Sequence, residues 1–478
     1  MIVRPQSYPL FDKLLFVSFV LLVPIALGSA STIFNDGDVS WHIATGQWII
    51  AHGQVPRTDP FSFTMSGQPW IAYEWLAEVI YAVGFDLAGY AGVGAIVAVA
   101  LMILHGIVFA TLRRQVAPAA ILLALMAMDI VLATFILARP HVLVWPILAG
   151  WTAGLLRARD EARSPPWALA LLMLLWANMH GSYVIGFVIA GACALDALIA
   201  AKWDRSALLN WTAFGLLSLL AALVNANGLA GVLHPLTVAG MESLPLIQEW
   251  QPSTPRGTPW FFAILLVVAA GFLIKRPRLR PGELALLVLM VAMALLQVRH
   301  QSWLAIVAAL VLAPVLARAR SADAAALFTS PTQRRAGLAF AAAAAVLLVF
   351  GRLAVPLVPD ENGANPRGLI ANIPGSLRSQ PVLNGYTMGG PLILAGIRPY
   401  VDGRADMYGD EFIADYIAIT DGDLARFDRA VRKYGIRWTI LPAGNGALVK
   451  ALDTSKEWRR VYADQVGVIH LRRPISGN

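Results

Sequence analysis

AGYAGVGAIVAVALMILHGIVFATLRR, residues 88–114, decides the fold. Its first 25 residues carry no Asp, Glu, Lys or Arg. As a helix they extend for about 37 Å, more than the hydrocarbon core of a bilayer. The run stops at Arg113-Arg114, the kind of cation pair that keeps a helix end in the cytoplasm. Outward from it, ten further apolar stretches read as spans: Leu14–Phe34, Ala117–Leu137, His141–Leu156, Trp167–Asn178, Ser182–Ala201, Leu208–Val224, Trp260–Ile274, Leu284–Val298, Trp303–Leu316 and Gly337–Val355. The expected fold class is therefore an α-helical polytopic membrane protein with about 11 transmembrane helices.

Composition agrees. Of 478 residues, 58% are hydrophobic and 14% charged, with a mean hydropathy of +0.64, which excludes an ordinary soluble enzyme. The net charge of +8 is not a nucleic-acid footprint, because the cations lie in short loops between apolar runs. With the N-terminus inside, 17 of the 22 Lys/Arg up to Arg352 fall on the cytoplasmic side. They cluster at Arg113/Arg114, Arg157/Arg159/Arg163, Lys202/Arg205, Lys275/Arg276/Arg278/Arg280, Arg318/Arg320 and Arg334/Arg335; only Arg57, Arg139, Arg256, Arg299 and Arg352 fall outside. Leu-Gly-Ser-Ala at 27–30 resembles a signal-peptidase site, but the apolar run continues to Phe34 and favours an uncleaved anchor. Arg outnumbers Lys 31 to 6, a usage that fits a GC-rich bacterial genome and hence a bacterial inner membrane. A single cysteine, Cys193, excludes an intramolecular disulfide.

From about Pro356 the composition changes. Residues 356–478 hold 28 charges in 123 positions, the soluble norm. Pro399–Asp402, Arg437–Leu441 and Val466–Leu471 read as strands, and Leu424–Tyr434 and Ala447–Leu452 as helices. The chain thus divides into a membrane domain, 1–355, with a long first outer loop (35–87), and a small extracytoplasmic α/β domain, 356–478.

Polar chemistry gathers at the outer span ends. Asn35-Asp36-Gly37-Asp38 opens the first loop, and two carboxylates one residue apart can share a divalent cation such as magnesium or manganese, or supply a base. His42 lies one turn beyond Asp38 on the same helical face; the alternative is that Asp38 only caps this helix. Trp41 and Trp48 suit a membrane interface, and the aromatic, proline-bracketed stretch to Trp75 reads as amphipathic helices on the membrane surface. Arg57 and Asp59 form a local salt bridge or a functional pair, with equal weight. Glu74, Arg139, His141, His180, Glu249, Arg299 and His300 stand at other outer ends as candidate substrate-binding groups. Guanidinium suits a phosphate. A lone interfacial histidine is usually structural, and no metal-binding histidine spacing occurs. In the membrane, His105 and Asp129 read as a packing pair, and Asp196 as an inner-end, hydrated acid.

Asp36 and Asp38, with Trp41, His42, Gly46, Trp48, Ile49, and Gly53 to Pro60, resemble the first-loop motif of the GT-C superfamily of membrane glycosyltransferases. Arg139-Pro140, Asn178-Met-His180-Gly181, Glu249-Trp250 and the tail Asn384-Gly385-Tyr386, Gly389-Gly390 and Val401-Asp402-Gly403-Arg404 are similar to segments of bacterial members. The resemblance implies transfer of a sugar from a polyprenyl-phosphate carrier to a hydroxyl of an envelope lipid, glycan or protein, with inversion. It implies Asp36 or Asp38 as base, a membrane-lipid partner, and no nucleic acid. A polysaccharide ligase or polymerase, a transporter and a non-catalytic scaffold are the alternatives. A ligase relies on a large late loop with arginines, whereas the long polar loop here is the first; a transporter relies on midplane charges and repeated halves, and only His105 and Asp129 fit, with no inverted repeat.

Overall fold

A computed structural model of the chain describes residues 9–317, 331–444 and 446–473; the expected cytoplasmic cluster Arg318/Arg320 lies outside them. The first membrane element is α1 (Pro9–Leu15), a π-helical stretch Phe16–Leu22, and α2 (Val23–Gly28). There follow α3 (Asp38–His52), α4 (Trp75–Leu112), α5 (Pro118–Leu132), α6 (Pro140–Asp160), α7 (Leu169–Met179) and α8 (Tyr183–Ala200). Then come α9 (Arg205–Leu223), α10 (Gly228–Ala239), α11 (Pro259–Lys275), α12 (Pro281–Leu296), α13 (Gln301–Leu316) and α14 (Pro331–Ala354). Proline opens α5, α6, α11 and α12, where its missing N–H has no partner to lose.

Among the described residues, six helical stretches are long and apolar enough to cross a membrane: Trp75–Leu112, Pro118–Phe135, Tyr183–Ala200, Arg205–Leu223, Val298–Leu316 and Arg335–Ala354. This does not reach the expected eleven. The shortfall has physical causes. Leu169–Met179, Gly228–Ala239, Pro259–Lys275 and Pro281–Leu296 are apolar but short. The first element changes helix type along its length, and α6 carries Pro146 inside it and Arg157, Arg159 and Asp160 at its end. The outward-facing apolar surface still demands lipid: Leu273 and Ile274 on α11 are 77% and 79% exposed.

Helix α4 is the spine, packing against α2, α3 and α6. Its 38 residues include a break at Ala88 and Gly89, so 13 residues assigned by sequence to the first loop are helical. His105 Nε2 and Asp129 Oδ1 meet at 2.8 Å, as a packing pair should. Asp196 is not hydrated as expected. It is buried, accepts the Gly282 N–H at 2.6 Å, and shares Arg159 with Glu283 at the end of α6 remote from the C-terminal unit.

That unit holds one four-stranded sheet, β1 (Val382–Asn384), β2 (Trp438–Pro442), β3 (Trp458–Ala463) and β4 (Gly467–Arg472), in the order β1-β2-β4-β3. β1 runs parallel to β2, while β4 is antiparallel to β2 and β3. Helices α15 (Arg367–Ala371), α16 (Gly389–Leu394), α17 (Ala405–Thr420), α18 (Leu424–Tyr434) and α19 (Gly446–Thr454) complete it. α18 lies where its period places it, capped by the Asp423 carboxylate and closed by Gly435 in the left-handed region. Pro399–Asp402 is not a strand. The Asn384 side chain takes its backbone instead, accepting the Tyr400 N–H and donating to the Val401 carbonyl.

Candidate functional site

The site begins where α3 starts. Asp36 Oδ1 accepts the Asp38 N–H at 2.8 Å, a local turn that leads the chain into the helix. The Asp38 side chain does not cap α3. Its Oδ1 accepts the Trp41 indole N–H at 3.0 Å, and its Oδ2 lies 3.0 Å from Arg139 Nη2. Trp41 is therefore buried in the site rather than set in a membrane interface. Arg139, immediately before α6, also donates from Nη1 to Asp36 Oδ2 at 3.2 Å and to Glu249 Oε2 at 3.0 Å. Three carboxylates from two distant segments thus converge on one guanidinium. Arg299 stands behind them, 3.5 Å from Glu249 Oε1, with its guanidinium 4.1 Å above the Trp250 ring.

These neighbours set the carboxyls apart. Burial pushes the Asp38 carboxyl up to about 7; Asp36 raises it further and Arg139 opposes both. Burial also pushes Glu74 up to about 8 against the pull of Arg139 and Arg299. Glu249 is buried too, yet the same two arginines outweigh that effect and hold it near 2. Glu249 is therefore held ionised at neutral pH, while burial shifts Asp38 and Glu74 toward their protonated forms.

Behind Arg139 runs an alternating chain of carboxyls and imidazoles. His180 Nε2 lies 3.5 Å from Glu74 Oε1, Glu74 Oε2 lies 3.8 Å from His42 Nε2, and His42 Nδ1 lies 3.2 Å from Glu78 Oε1. The Ser182 N–H donates to His180 Nδ1, so the proton of neutral His180 sits on Nε2, facing Glu74. Burial holds both imidazoles well below the usual range, with Arg139 and Arg299 adding to it at His42 and His180 respectively. His42 Nε2 and Glu78 Oε2 are buried with no hydrogen-bond partner among the described residues. A cavity of about 50 Å³ adjoins this chain, lined by Glu74, Arg139, His141, His180, Glu249 and Arg299, room for a few waters.

The expected residues do not all gather here. Asp36, Asp38, His42, Glu74, Arg139, His141, His180, Glu249 and Arg299 do. His141 Nε2 donates to the Phe135 carbonyl beside the cavity. His300 faces the Met293 carbonyl and stacks on Trp303, so it does not line the cavity. Arg57 is exposed and reaches only the Ala226 carbonyl, at 3.4 Å. Glu78 was missed, though its four-residue spacing from Glu74 is the signal that could have found it.

The C-terminal unit roofs the site. Residues 53–74 form no helix, contrary to the amphipathic helices expected; Arg398 donates to the Ser62 carbonyl and Thr64 to that of Tyr400. Asp59 pairs with Arg404 at 2.8 Å rather than with Arg57, and Arg404 also pairs with Asp402 and lies 4.6 Å above the Trp70 ring. A methyl group added at Gly403 would lie 1.7 Å from Asp38 Oδ1, and one at Gly390 would lie 2.0 Å from the Gly37 carbonyl. Those glycines let the tail segment close over the acids.

The oxygens of Asp36 and Asp38 are all engaged, by the Asp38 N–H, the Trp41 indole and Arg139. No cluster of three metal-ligating side chains occurs among the described residues. Neither a scan of protein-family models nor a search of curated proteins gives a match to the chain.

Proposed function

We propose that the protein transfers a sugar from a polyprenyl-phosphate carrier to an acceptor hydroxyl, with Asp38 as the base, at the outer face of a bacterial inner membrane. The observation that carries this reading is the convergence of Asp36, Asp38 and Glu249 on Arg139, beside a cavity and at the ends of apolar helices. A carrier with its tail in lipid presents its phosphate at that depth.

Asp38 takes the acceptor's proton while the acceptor oxygen bonds to the anomeric carbon from the face opposite the phosphate. The anomeric carbon–oxygen bond breaks, and polyprenyl phosphate leaves with the electron pair. The phosphate is a good leaving group, so no general acid is required, and the protein's tasks are positioning and charge. The geometry revises the part played by Arg139. With three carboxylates on it, this residue holds the acids together and limits their repulsion. Arg299, which has one longer carboxylate contact and an aromatic platform, is the cation available to phosphate. Glu74, protonated at neutral pH, adds no charge to repel the donor.

The test is the envelope glycan profile of a deletion strain complemented with wild type or Asp38→Asn. The reading expects a glycan species lost on deletion, restored by wild type, and still missing with Asp38→Asn. Restoration by Asp38→Asn at wild-type levels counters it.

A further inference from the structure

A second cleft lies away from the acids, on the C-terminal unit. It measures about 600 Å³ and is lined by Glu361, Asn362, Pro442, Ala443, Asp464 and Gln465, among others, a volume suited to a small ligand. It sits where β2 ends at Pro442, beside the turn joining β3 to β4, and thus at the carboxyl edge of the parallel pair β1/β2. In open α/β sheets that edge is where ligands bind.

The lining defines the ligand. Two carboxylates and no cation face the cleft itself, so an anion is disfavoured. A cation gains little either, because both carboxylates are already compensated. Glu361 accepts the Gly368 N–H at 2.9 Å and lies 3.3 Å from Arg367, while Asp464 Oδ1 accepts the Val466 and Gly467 N–H groups. Exposed charges in water add little further attraction. What remains is a set of hydrogen-bonding groups over a small apolar floor. The Gln465 amide makes no hydrogen bond among the described residues, the carboxylates keep lone pairs, and Pro442, Ala443 and Val466 form the floor. Alternating hydroxyl and C–H faces of an uncharged sugar chain match that surface.

We propose that this cleft binds an uncharged oligosaccharide. Its wall is fixed to the acidic site. Asn362 Nδ2 donates to Asn35 Oδ1 at 2.8 Å, and Asn365 Nδ2 donates to the Phe34 carbonyl at 2.7 Å. Both partners immediately precede Asp36. A glycan held in the cleft is thereby tied to the segment that leads into Asp36, so the cleft serves as the acceptor's docking arm. That last assignment rests on the transferase reading, whereas the binding does not.

Binding is measured by calorimetry on the full chain in lipid nanodiscs. The probes are six-residue uncharged gluco- and manno-oligosaccharides, with a hexagalacturonate and a glucosamine hexamer as charged counterparts. An uncharged probe is expected to bind, and Ala443→Trp, which fills the cleft from an exposed position, is expected to weaken it about tenfold or more. Gln465→Ala removes hydrogen bonds without adding bulk and is expected to weaken it about three- to tenfold with an unchanged melting temperature. The proposal is overturned by no uncharged binding at about 10 mM, by tighter binding of a charged probe, or by equal binding to both variants. Asp38→Asn is expected to bind the probe as wild type does. A transfer-competent Asp38→Asn protein would remove Asp38 as the base, and a wild-type protein that transfers no sugar would remove the transferase reading; neither touches the cleft's binding.

Discussion

Asp38 and Asp36 differ in what their oxygens do, and the difference separates their roles. Asp36 Oδ1 orders the start of α3 by accepting the Asp38 N–H, a bond that an asparagine oxygen also accepts. Asp38 has no such backbone duty. Asp38→Asn is therefore expected to lower turnover about a hundredfold or more, the scale for a positioned base, and Asp36→Asn to cost clearly less. Equal losses in a transfer assay would contradict this division. Because Asp38 is held near 7, turnover should rise as pH passes through about 7, where the base becomes ionised. Glu74 gives a second pH dependence, in stability. Its folded-state carboxyl is raised to about 8 from an ordinary 4.5, so the folded state favours the protonated form. That contribution is complete below the unfolded value and is lost as pH rises through about 8. Glu74→Gln should consequently melt like wild type near pH 4 and increasingly above it as pH rises toward 9; a difference independent of pH would contradict the assignment. Asp36, Asp38, Glu74 and Arg139 are legible in the sequence because each stands beside an apolar run, where a polar group is conspicuous. Their pairings are not. Arg139 lies more than a hundred positions from Asp36 and from Glu249, and no local period links them. Arg57 misleads for the converse reason: Asp59, its close neighbour in sequence, is taken by Arg404.

Among the elements, α18 and β4 are readable because amphipathic period and alternation are local. β1 has three residues and β3 carries Arg459 and Arg460, so neither yields a clean strand signal. Span ends fail where length is the only guide: α4 continues past the loop boundary because its first turns are buried beneath α3. The contact between α3 and the tail segment carries its own prediction. A methyl group at Gly403 would collide with Asp38 Oδ1, so Gly403→Ala must displace either the carboxylate or the tail. It is expected to remove most activity while costing about 1–3 kcal/mol of stability. Arg404 is a structural matter by comparison. Its removal leaves Asp59 and Asp402 buried without their cation, so Arg404→Met is expected to destabilise by about 3–5 kcal/mol. Thermal unfolding of both variants, set against activity, checks the order: Gly403→Ala more active-site damage, Arg404→Met more instability.

At the scale of the whole molecule, a bundle of apolar helices carries the acidic site at one end, with a small α/β unit closed over it, and the Arg159–Asp196–Glu283 cluster at the other. The bias of cations toward alternate loops predicts the side. Reporters fused after Arg114 and Arg205 should read cytoplasmic and one after Asn478, outside the described residues, should read external; a cytoplasmic signal at Asn478 would reverse the face on which the acids lie. That prediction needs only lysine and arginine counts and no three-dimensional information, whereas the roof over Asp38 is a tertiary contact between segments over three hundred residues apart. The central claim is that Asp38, held by Arg139 and backed by Asp36, is the base of a sugar transfer from a lipid carrier. Its most direct test uses purified protein in nanodiscs with a labelled lipid extract, following movement of sugar label from the lipid to the acceptor fraction. Wild type is predicted to transfer label and the Asp36→Asn/Asp38→Asn double variant to fall to background, with its melting temperature not lowered at neutral pH. Wild-type rates of transfer in the double variant would contradict the account.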